Sequence, residues 1–470
     1  MKILLPQEMK RMDQRTVEEG VLSSLELMQN AAEALYKEVE ALMNQQGYER
    51  VLLLAGNGNN GGDAYALACL LYPQYAPAIL RVGEGEMSPD CRHYYDKAKE
   101  LGIPFVKDPE GYPLVVEGVF GTGFHGALPQ DVKALFDRID APVVAIDLPG
   151  GMDGASGIPA EGTLKPVLTV TFAYKKPCHL FSDCGKVVVA DIGIPKSYAD
   201  DMMLEELECA ISPREEWGHK SSFGDVGLLV GCARYSGAAA LALLGALKSG
   251  VGLIYGYLPA VPRKAAAAKF YGPILKSPAA VRSDFRSIWL AGSGLGRGIS
   301  AGRRMHYLWK NAPALVVDGD GLWHIREALS SRKGYLTVLT PHLGEFASLL
   351  GVSVEALKKD RLQLAAAFAK KHQVILVLKD AATLVTDGSR TAILSKPCSA
   401  LSRGGSGDLL AGLIAGLLAS DFQADPFEGV KCGVWLHNRG AHLACKDHSP
   451  RTLQPEIIAE YIDQAFKELE

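Results

Sequence analysis

Two series of short apolar segments, each segment separated from the next by a stretch of helical character, run through this chain of 470 residues. The first series extends from Val51 to Ala190 and the second from Val226 to Thr386. Short apolar runs between helices are typical of parallel strands that are buried on both faces of a sheet. The stretch between the series, residues 205–222, is polar and irregular. We therefore predict two α/β domains, at 1–208 and 221–470, joined by a linker at 209–220.

The charge and the cysteine content of the chain indicate which classes of partner it can bind and in which compartment it is located. The net charge of −4 leaves no basic surface for nucleic acid or acidic lipid. The longest apolar run, 237–247, is too short to span a bilayer. The nine cysteines form no CxxC pair, and their odd number argues against a complete disulfide framework. These features predict a cytoplasmic protein with small-molecule ligands and with neither a nucleic acid nor a membrane as partner.

A glycine-rich segment near the C-terminus combines an anion-binding loop with one carboxylate. Gly404-Gly405-Ser406-Gly407-Asp408 directly precedes the apolar run 409–418. Glycines let backbone N–H groups surround a phosphate, and the run predicts a helix whose N-terminus attracts that phosphate. A carboxylate in the first turn can accept the proton of a hydroxyl that attacks a phosphoryl group. The alternative is a plain glycine C-cap followed by a capping Asp408.

The first domain has two glycine-rich loops, each after a predicted strand. Residues 55–63 place four glycines and three asparagines between a strand and a helix, which exceeds what a turn alone needs. Residues 121–126 match GxGxxG, with Asp147 about twenty residues further on. That match to a dinucleotide fingerprint is weak because Ala127-Leu128-Pro129 interrupts the helix that should follow. We predict that both loops and Asp147 line one crevice, where Asp147 acts as an acid or base or only caps a loop.

Four segments of the second domain follow predicted strands and should meet Asp408 at one edge of the sheet. They are 292–296, 318–321, 340–346 and 379–383. Taken singly, His342 is better explained as a loop histidine and Lys379 as a solvated charge, but their shared placement with Asp408 shifts both towards function. No GxxxxGK[ST] motif is present, so a P-loop mechanism is excluded.

Several of these segments carry a resemblance to known families. The first half resembles the YjeF-type NAD(P)HX epimerase domain through GNNGGD at 58–63, FGTG at 120–123, AIDLPGGMDGASG at 145–157 and DIGIP at 191–195. The second half resembles the ribokinase-like, ADP-dependent NAD(P)HX dehydratase domain through HK at 219–220, YSGAA at 235–239, GSGLG at 292–296, LTPHLGEF at 339–346, LKDAAT at 378–383 and GGSGD at 404–408. Together they resemble the bifunctional nicotinamide nucleotide repair enzymes.

The resemblance implies a fold and an activity. The expected fold is α/β, with an N-terminal Rossmann-like three-layer αβα domain followed by a C-terminal ribokinase-like α/β domain. The expected substrates are the hydrates NADHX and NADPHX, which the first domain epimerises and the second dehydrates with ADP, or with ATP as the alternative. Mg²⁺ and K⁺ are the implied ions, and a homo-oligomer is the implied assembly.

The resemblance also implies roles for individual residues. Hydrate binding in the first domain falls to Asn59, Asn60, Gly61, Gly62, Asp63, Gly121, Thr122, Gly123, Phe124, His125, Gly126, Ala127 and Asp147, with Asp147 catalytic. In the second domain Ala239, Gly294, His342 and Asp408 meet the hydrate, and Asp408 is the base. Lys379, Asp380, Ala381, Ala382, Thr383, Gly405, Ser406 and Gly407 hold the nucleotide, and Asp318 or Glu345 positions Mg²⁺.

The chain departs from the family pattern at the implied potassium site, which comprises Asn60, Glu117 and Gly150. The family has Asp where this chain has Glu117 and Ser where it has Gly150, and Pro166-Val167-Leu168 replaces a usual Ala-Asp pair. Potassium binding through Asn60, Glu117 and carbonyl oxygens is one expectation, and a first domain that binds the hydrate without turnover is the other. For the second domain the alternative is a ribokinase-like small-molecule hydroxyl kinase.

Overall fold

The computed structural model describes residues 1–470, which form two compact units, Met1–Met202 and Met203–Glu470. The sequence predicted the boundary at residue 208 and a linker at 209–220. The structure differs because a strand at Leu204–Glu206 pairs in parallel with Thr391–Ile393, and because Cys209 forms a disulfide with Cys432. Residues from Met203 onward are therefore held by the second unit.

The first unit contains six strands and six helices. Its strands are β1 (Arg50–Ala55), β2 (Ala76–Arg81), β3 (Val115–Gly118), β4 (Val143–Ile146), β5 (Leu168–Phe172) and β6 (Lys186–Ala190). Its helices are α1 (Pro6–Glu18), α2 (Ser24–Gln46), α3 (Asn59–Leu71), α4 (Pro89–Glu100), α5 (Gln130–Phe136) and α6 (Cys178–Phe181).

These strands form one parallel sheet in the order β2-β1-β3-β4-β5-β6 with a core on each face. Side chains alternate along β1, so Leu53 packs with α2 and α3 while Leu52 packs with α5. The predicted three-layer αβα arrangement is confirmed. All carboxyl ends of the strands lie at one edge, which receives the loops of the predicted site.

The second unit contains ten strands and ten helices. Its strands are β7 (Leu204–Glu206), β8 (Asp225–Leu229), β9 (Leu253–Tyr257), β10 (Ile274–Lys276), β11 (Ile288–Ala291), β12 (Ala314–Val317), β13 (Leu336–Leu339), β14 (Ile375–Leu378), β15 (Leu384–Thr386) and β16 (Thr391–Ile393). Its helices are α7 (Ser236–Leu247), α8 (Ala260–Lys269), α9 (Ile299–Asn311), α10 (Asp320–Ile325), α11 (Leu343–Leu350), α12 (Val354–Lys359), α13 (Arg361–His372), α14 (Ser406–Ser420), α15 (Pro426–Ala444) and α16 (Pro455–Lys467).

The sheet of this unit is parallel from β10 to β14, in the order β10-β9-β8-β11-β12-β13-β14, and continues antiparallel through β15 and β16. The central helix α14 is buried almost along its whole length. It crosses the alanine-rich α7 closely, because a Cβ on Gly412 would lie 2.0 Å from the carbonyl oxygen of Ala242. The small residues of α7 therefore pack inside the fold.

None of the helices in the structure combines the length and the apolar character that crossing a bilayer requires.

Candidate active site

The first unit has a cavity of about 480 Å³ between its N-terminal helices and the edge of its sheet. Helices α1 and α2 line it with apolar side chains such as Met9 and Leu27. The sheet edge contributes the polar residues Asn59, Asp63, Thr122, Asp147 and Lys176, and α1 adds polar side chains that include Asp13. The predicted crevice is thus present, and four of its predicted hydrate-binding residues line it.

Asp147 is held in a left-handed backbone conformation, with φ +65°, directly after β4. Its Oδ1 accepts hydrogen bonds from Lys176 Nζ at 2.5 Å and from Thr171 Oγ1 at 2.8 Å. Its carbonyl oxygen lies 2.8 Å from Nε2 of His179. Such a backbone persists only where its surroundings over-determine it, which is common at active sites. These contacts hold the carboxylate in one orientation at the cavity.

The ion pair with Lys176 decides the charge of Asp147. Burial alone would raise the pKa of Asp147, but the adjacent Lys176 ammonium outweighs it and the net pKa is lowered. His179 has its pKa lowered to about 4, chiefly by burial, and is neutral. Its Nδ1 accepts the N–H of Lys176, so its Nε2 carries the hydrogen. Asp147 therefore stands in the cavity as an ionised carboxylate.

Two further carboxyl groups, Asp63 and Asp13, line this cavity, and both have raised pKa values. Burial raises the pKa of Asp63 well above its ordinary value, and the charges of Asp147 and Asp13 add to that effect. Burial also raises the pKa of Asp13, on α1, to about 6, although Lys176 partly opposes it. Asp63 therefore favours its protonated form more strongly than an ordinary carboxyl group does, and Asp13 titrates near pH 6.

The rest of the two predicted loops has a structural role or lies outside the cavity. Gly61 and Gly62 are buried, and a Cβ on Gly61 would lie 2.1 Å from the carbonyl oxygen of Gly56. Phe124 is buried against Phe120, with ring centroids 5.0 Å apart. Exposed members of the second loop are Gly123, His125, Gly126 and Ala127. His125 Nδ1 lies 2.8 Å from Asp153 Oδ2.

The residues of the implied potassium site do not fit a resident ion. Both Glu117 oxygens accept backbone hydrogen bonds of 2.7 Å, one from Val119 and one from Gly150. Asn60 Nδ2 donates to the carbonyl oxygens of Phe120 and Ile146. A potassium ion needs several oxygens that face it together, whereas the oxygens of Glu117 and the two carbonyl oxygens face N–H donors here, and Gly150 has no side-chain oxygen. The predicted assignment of Asn60, Glu117 and Gly150 as potassium ligands is thus not supported.

In the second unit the GGSGD segment forms the start of α14, as the sequence predicts. Gly405 precedes the helix with φ +93°, and the N–H groups of Gly407 and Asp408 donate to no backbone carbonyl. Lys379 Nζ lies only 3.0 Å from the position of a Cβ on Gly407. Free N–H groups, a helix N-terminus and an ammonium thus meet at one point, which suits a phosphate.

Asp408, in the first turn of α14, has its pKa raised to about 7. Burial is the largest cause and the charge of Asp318 the next, whereas Lys379 and a hydrogen bond from Ser293 lower the pKa. A carboxyl group with a pKa near neutrality is suited to accept a proton and to release it again.

A buried hydrogen-bond network connects Asp318 with the groups around Asp408. Asp318 Oδ1 accepts hydrogen bonds of 2.7 Å from Lys379 Nζ and from Thr340 Oγ1. Its Oδ2 accepts one of 3.0 Å from Ser293 Oγ. Burial opposes the charge of Lys379, but Asp318 outweighs it and the pKa of Lys379 is raised. Both Asp318 oxygens accept hydrogen bonds from side chains, and the positioning of Mg²⁺ by Asp318 or Glu345 stays a prediction.

A cavity of about 380 Å³ lies next to this network and contains most of the predicted nucleotide-binding residues. Those that line it are Lys379, Asp380, Ala381, Thr383, Ser406 and Gly407, together with His342 and His437. His342 and Lys379 form a bridge between the extensions of β13 and β14. Ala382 is buried below the cavity, and Gly405 is half-buried at the helix start.

Two predicted hydrate contacts of the second unit differ in their exposure. Gly294 is half-buried with φ +59°, and a side chain there would collide with Ala238 and Tyr235. Ala239 has no exposed surface, since it packs in the core against the sheet. The prediction that Ala239 contacts the hydrate is therefore not supported, because no part of it reaches the surface.

Sequence reasoning missed several residues of both sites. Asp13 and Lys176 line the first cavity, where Thr171 and His179 contact Asp147. His437 lines the second cavity, and Ser293 and Thr340 donate to Asp318 beside it. Lys176 carried a usable signal, because it follows a strand at the active edge of the sheet. Ser293 and Thr340 lie inside segments that were already singled out. Asp13 and His437 lie on helices remote in sequence, and no local pattern marks them.

Family models match both units. The model described as NAD(P)H-hydrate dehydratase matches residues 226–464, and the one described as YjeF-related protein N-terminus matches residues 24–178. A curated relative, the bifunctional NAD(P)H-hydrate repair enzyme Nnr of Moorella thermoacetica, is 29% identical. The alignment covers 100% of this chain and 97% of the relative.

Solved structures match the second unit. The ADP/ATP-dependent NAD(P)H-hydrate dehydratase of Bacillus subtilis, co-crystallised with ATP and Mg²⁺, is 27% identical with a TM-score of 0.51, over 56% of this chain and 95% of that one. A ribokinase-like superfamily protein of Enterococcus faecalis, 23% identical with a TM-score of 0.51 over 57% and 97%, supports the predicted fold. The chain therefore belongs to the NAD(P)H-hydrate dehydratase family and carries a YjeF-related domain ahead of the dehydratase domain.

Proposed function

We propose that this chain repairs hydrated NADH and NADPH. The second unit dehydrates the S hydrate at the expense of ADP, and the first unit interconverts the R and S hydrates. The observation that carries the proposal is the position of Asp408, a carboxyl group with a pKa near 7 beside the phosphate-binding start of α14. The names of the relatives and the match of both units to family models support it.

The dehydration follows from the chemistry of the leaving group. Hydroxide leaves carbon poorly, so the hydroxyl oxygen first attacks the terminal phosphoryl group of ADP while Asp408 accepts its proton, and AMP departs. The phosphate ester then breaks its C–O bond with the electron pair leaving on phosphate. Loss of a proton from the adjacent carbon restores the ring double bond. The products are the reduced dinucleotide, AMP and inorganic phosphate.

The chain's own groups stabilise the charge that moves during this transfer. The N–H groups of Gly407 and Asp408 and the Lys379 ammonium face the phosphoryl oxygens, where fixed donors lower the barrier. Asp318 orients Lys379 through their 2.7 Å contact. The 380 Å³ cavity lined by residues 379–383 receives the rest of the nucleotide.

Mg²⁺ belongs to the proposal because it neutralises phosphate charge when bound. It commonly takes one or two carboxylates and completes its shell with phosphate oxygens and water. Glu345 fits this role: its side chain is 27% exposed, and one oxygen accepts the N–H of His342. ADP is the proposed donor, and ATP is the alternative that the Bacillus relative's description supports.

In the first unit, ionised Asp147 is the proposed catalytic carboxylate, and Asn59, Asp63 and Thr122 are its proposed partners in binding the hydrate. We leave potassium out of the proposal because the oxygens of Glu117 and the carbonyls near Asn60 already accept hydrogen bonds. The homo-oligomeric assembly and the cytoplasmic location stay predictions.

The test is the recovery of reduced-nicotinamide absorbance from a mixed pool of R and S hydrates with ADP and Mg²⁺. Full recovery is expected from the wild type. Asp408→Asn should lower the rate by about 10²- to 10⁴-fold through loss of the base. The exposed Asp463→Asn on α16 serves as the matched control and should recover the pool normally.

Other outcomes would redirect the assignment. Recovery that stops when the S hydrate is consumed would mean that the first unit binds without epimerising. A stable phosphorylated product without recovery would favour the small-molecule hydroxyl kinase and contradict the repair function.

A further inference from the structure

We propose that Asp13 on α1 is a second catalytic acid–base residue of the first unit, acting on the hydrate from the helical wall while Asp147 acts from the sheet edge. This inference rests on the proposed epimerase function and deepens it. Helix α1, at Pro6–Glu18, precedes residues 24–178, which the family model matches, so the resemblance assigns it no role.

The cavity of the first unit places carboxyl groups on two of its walls. Asp13 and Asp147 both line the same 480 Å³ space, one from α1 and the other from the loop after β4. The charge of Asp147 raises the pKa of Asp13, so the two groups lie within electrostatic reach of each other. A ligand in this cavity therefore has a carboxyl group on each of two different walls.

The position of Asp63 indicates that the cavity is suited to a polar ligand. Asp63 is only 7% exposed, lines the cavity, and is influenced by its neighbours only through burial and charge. A carboxyl group this buried needs a hydrogen-bond partner in place of the bulk water that it has lost. A hydroxyl or amide group of the hydrate would meet that need.

Epimerisation of the hydrate requires one proton to be donated and one to be accepted. Reduced nicotinamide is an enamine, so hydration places the hydroxyl on a ring carbon bonded to nitrogen. To invert that carbon, the C–O bond breaks, its electron pair leaves on oxygen, an acid protonates that oxygen to water, and the nitrogen lone pair forms a C=N bond. Water then attacks the opposite face, the C=N electron pair returns to nitrogen, and a base takes the proton.

These two proton transfers occur on opposite faces of the ring, so one carboxyl cannot perform both in one event. Asp147 is ionised by its pairing with Lys176 and is the base in one direction. Asp13 supplies the proton and takes it back in the reverse direction. Asp13 lines the cavity from α1 and titrates near pH 6, so it can alternate between these states, whereas burial raises the pKa of Asp63 well above its ordinary value.

Other charged groups also face Asp13. Lys10 and Glu18 line the cavity from its own helix, Asp63 does so from α3, and Lys176 from the segment after β5. Any pH profile of the first unit therefore includes their influence. For that reason the test compares variants and does not rest on one titration.

The experiment uses the full chain, the purified R hydrate of NADH, and no ADP, with formation of the S hydrate followed chromatographically. Asp13→Asn should lower the epimerisation rate by about 10²-fold or more. The exposed Asp96→Asn on α4 is the matched control and should keep the wild-type rate. Asp13→Glu should restore part of the activity, because it restores the carboxyl.

Further measurements separate catalysis from structure. Asp13→Asn should keep the wild-type melting temperature or exceed it, since it removes a charge near Asp63 and Asp147. It should also dehydrate the S hydrate with ADP at the wild-type rate, and should lose the wild-type activity change near pH 6.

Two results would count against these ideas in different ways. If Asp13→Asn epimerises as fast as the wild type, Asp13 is not catalytic although the epimerase assignment stands. If the wild type itself does not accelerate epimerisation over the reaction without enzyme, the epimerase function fails, and this inference fails with it.

Discussion

The carboxylate of Glu117 fills the space that any side chain on Gly150 would need. A Cβ on Gly150 would lie 2.4 Å from Oε1 and 2.7 Å from Cδ of Glu117. The backbone N–H of Gly150 meanwhile donates to the other carboxylate oxygen at 2.7 Å. The longer acid and the missing side chain are thus complementary, and they explain why both depart from the family pattern together.

This complementarity predicts that Gly150→Ser alone is destabilising, by roughly 1–3 kcal/mol, because it overpacks a filled site. Combining it with Glu117→Asp should recover most of the loss, since the shorter acid vacates the space. Urea unfolding followed by far-UV circular dichroism measures the change. All five tryptophans lie in the second unit, so their fluorescence transition should stay constant. Equal stability of the single and double variants would contradict the prediction.

A second prediction concerns potassium. Because the oxygens of Glu117 and the carbonyl oxygens of Phe120 and Ile146 face N–H donors, epimerisation should change by less than about twofold when potassium chloride is replaced by tetramethylammonium chloride. The Glu117→Asp, Gly150→Ser double variant provides the comparison, since its side chains match the family pattern. A steep potassium dependence in the wild type would show that an ion displaces the present hydrogen bonds.

The dehydratase rate should depend on the ionisation of Asp408. The base form is needed, and burial raises the pKa of Asp408 to about 7, so kcat/KM should fall as the pH drops below that value. Ser293→Ala removes a hydrogen bond that lowers this pKa, so the fall should begin at a higher pH. The exposed Ser300→Ala on α9 is the control, and its profile should overlay the wild type. An unshifted profile in Ser293→Ala would exclude this role.

Lys176→Met should destabilise the first unit by roughly 3–5 kcal/mol at neutral pH, because it leaves Asp147 buried without its partner. The lowered pKa of Asp147 contributes stability above the ordinary Asp pKa, and that stability is lost as the pH falls through the lowered value. The difference between variant and wild type should therefore narrow in acid. Circular dichroism at several pH values tests this, with exposed Lys165→Met as the control. A difference that does not vary with pH would point to lost packing instead.

The sequence by itself determined the two α/β units and the loops that carry their chemistry. Apolar runs such as Val51 to Leu54 are stable as strands that are buried on both faces of a sheet. Parallel strands then bring the loops that follow them to one edge of the sheet. Glycine and carboxylate at 404–408 likewise act locally, through backbone freedom and a helix N-terminus. These predictions needed only neighbours in the chain.

Tertiary structure decided what those loops contact. Asp13 and Lys176 reach Asp147 from distant segments, and the pairing of β7 with β16 moved the unit boundary to Met203. Likewise, only packing shows that Ala239 is fully buried and that Glu117 occupies the space beside Gly150. Charge pairing, burial and excluded volume depend on distances across the fold, and those distances have no local signature in the sequence.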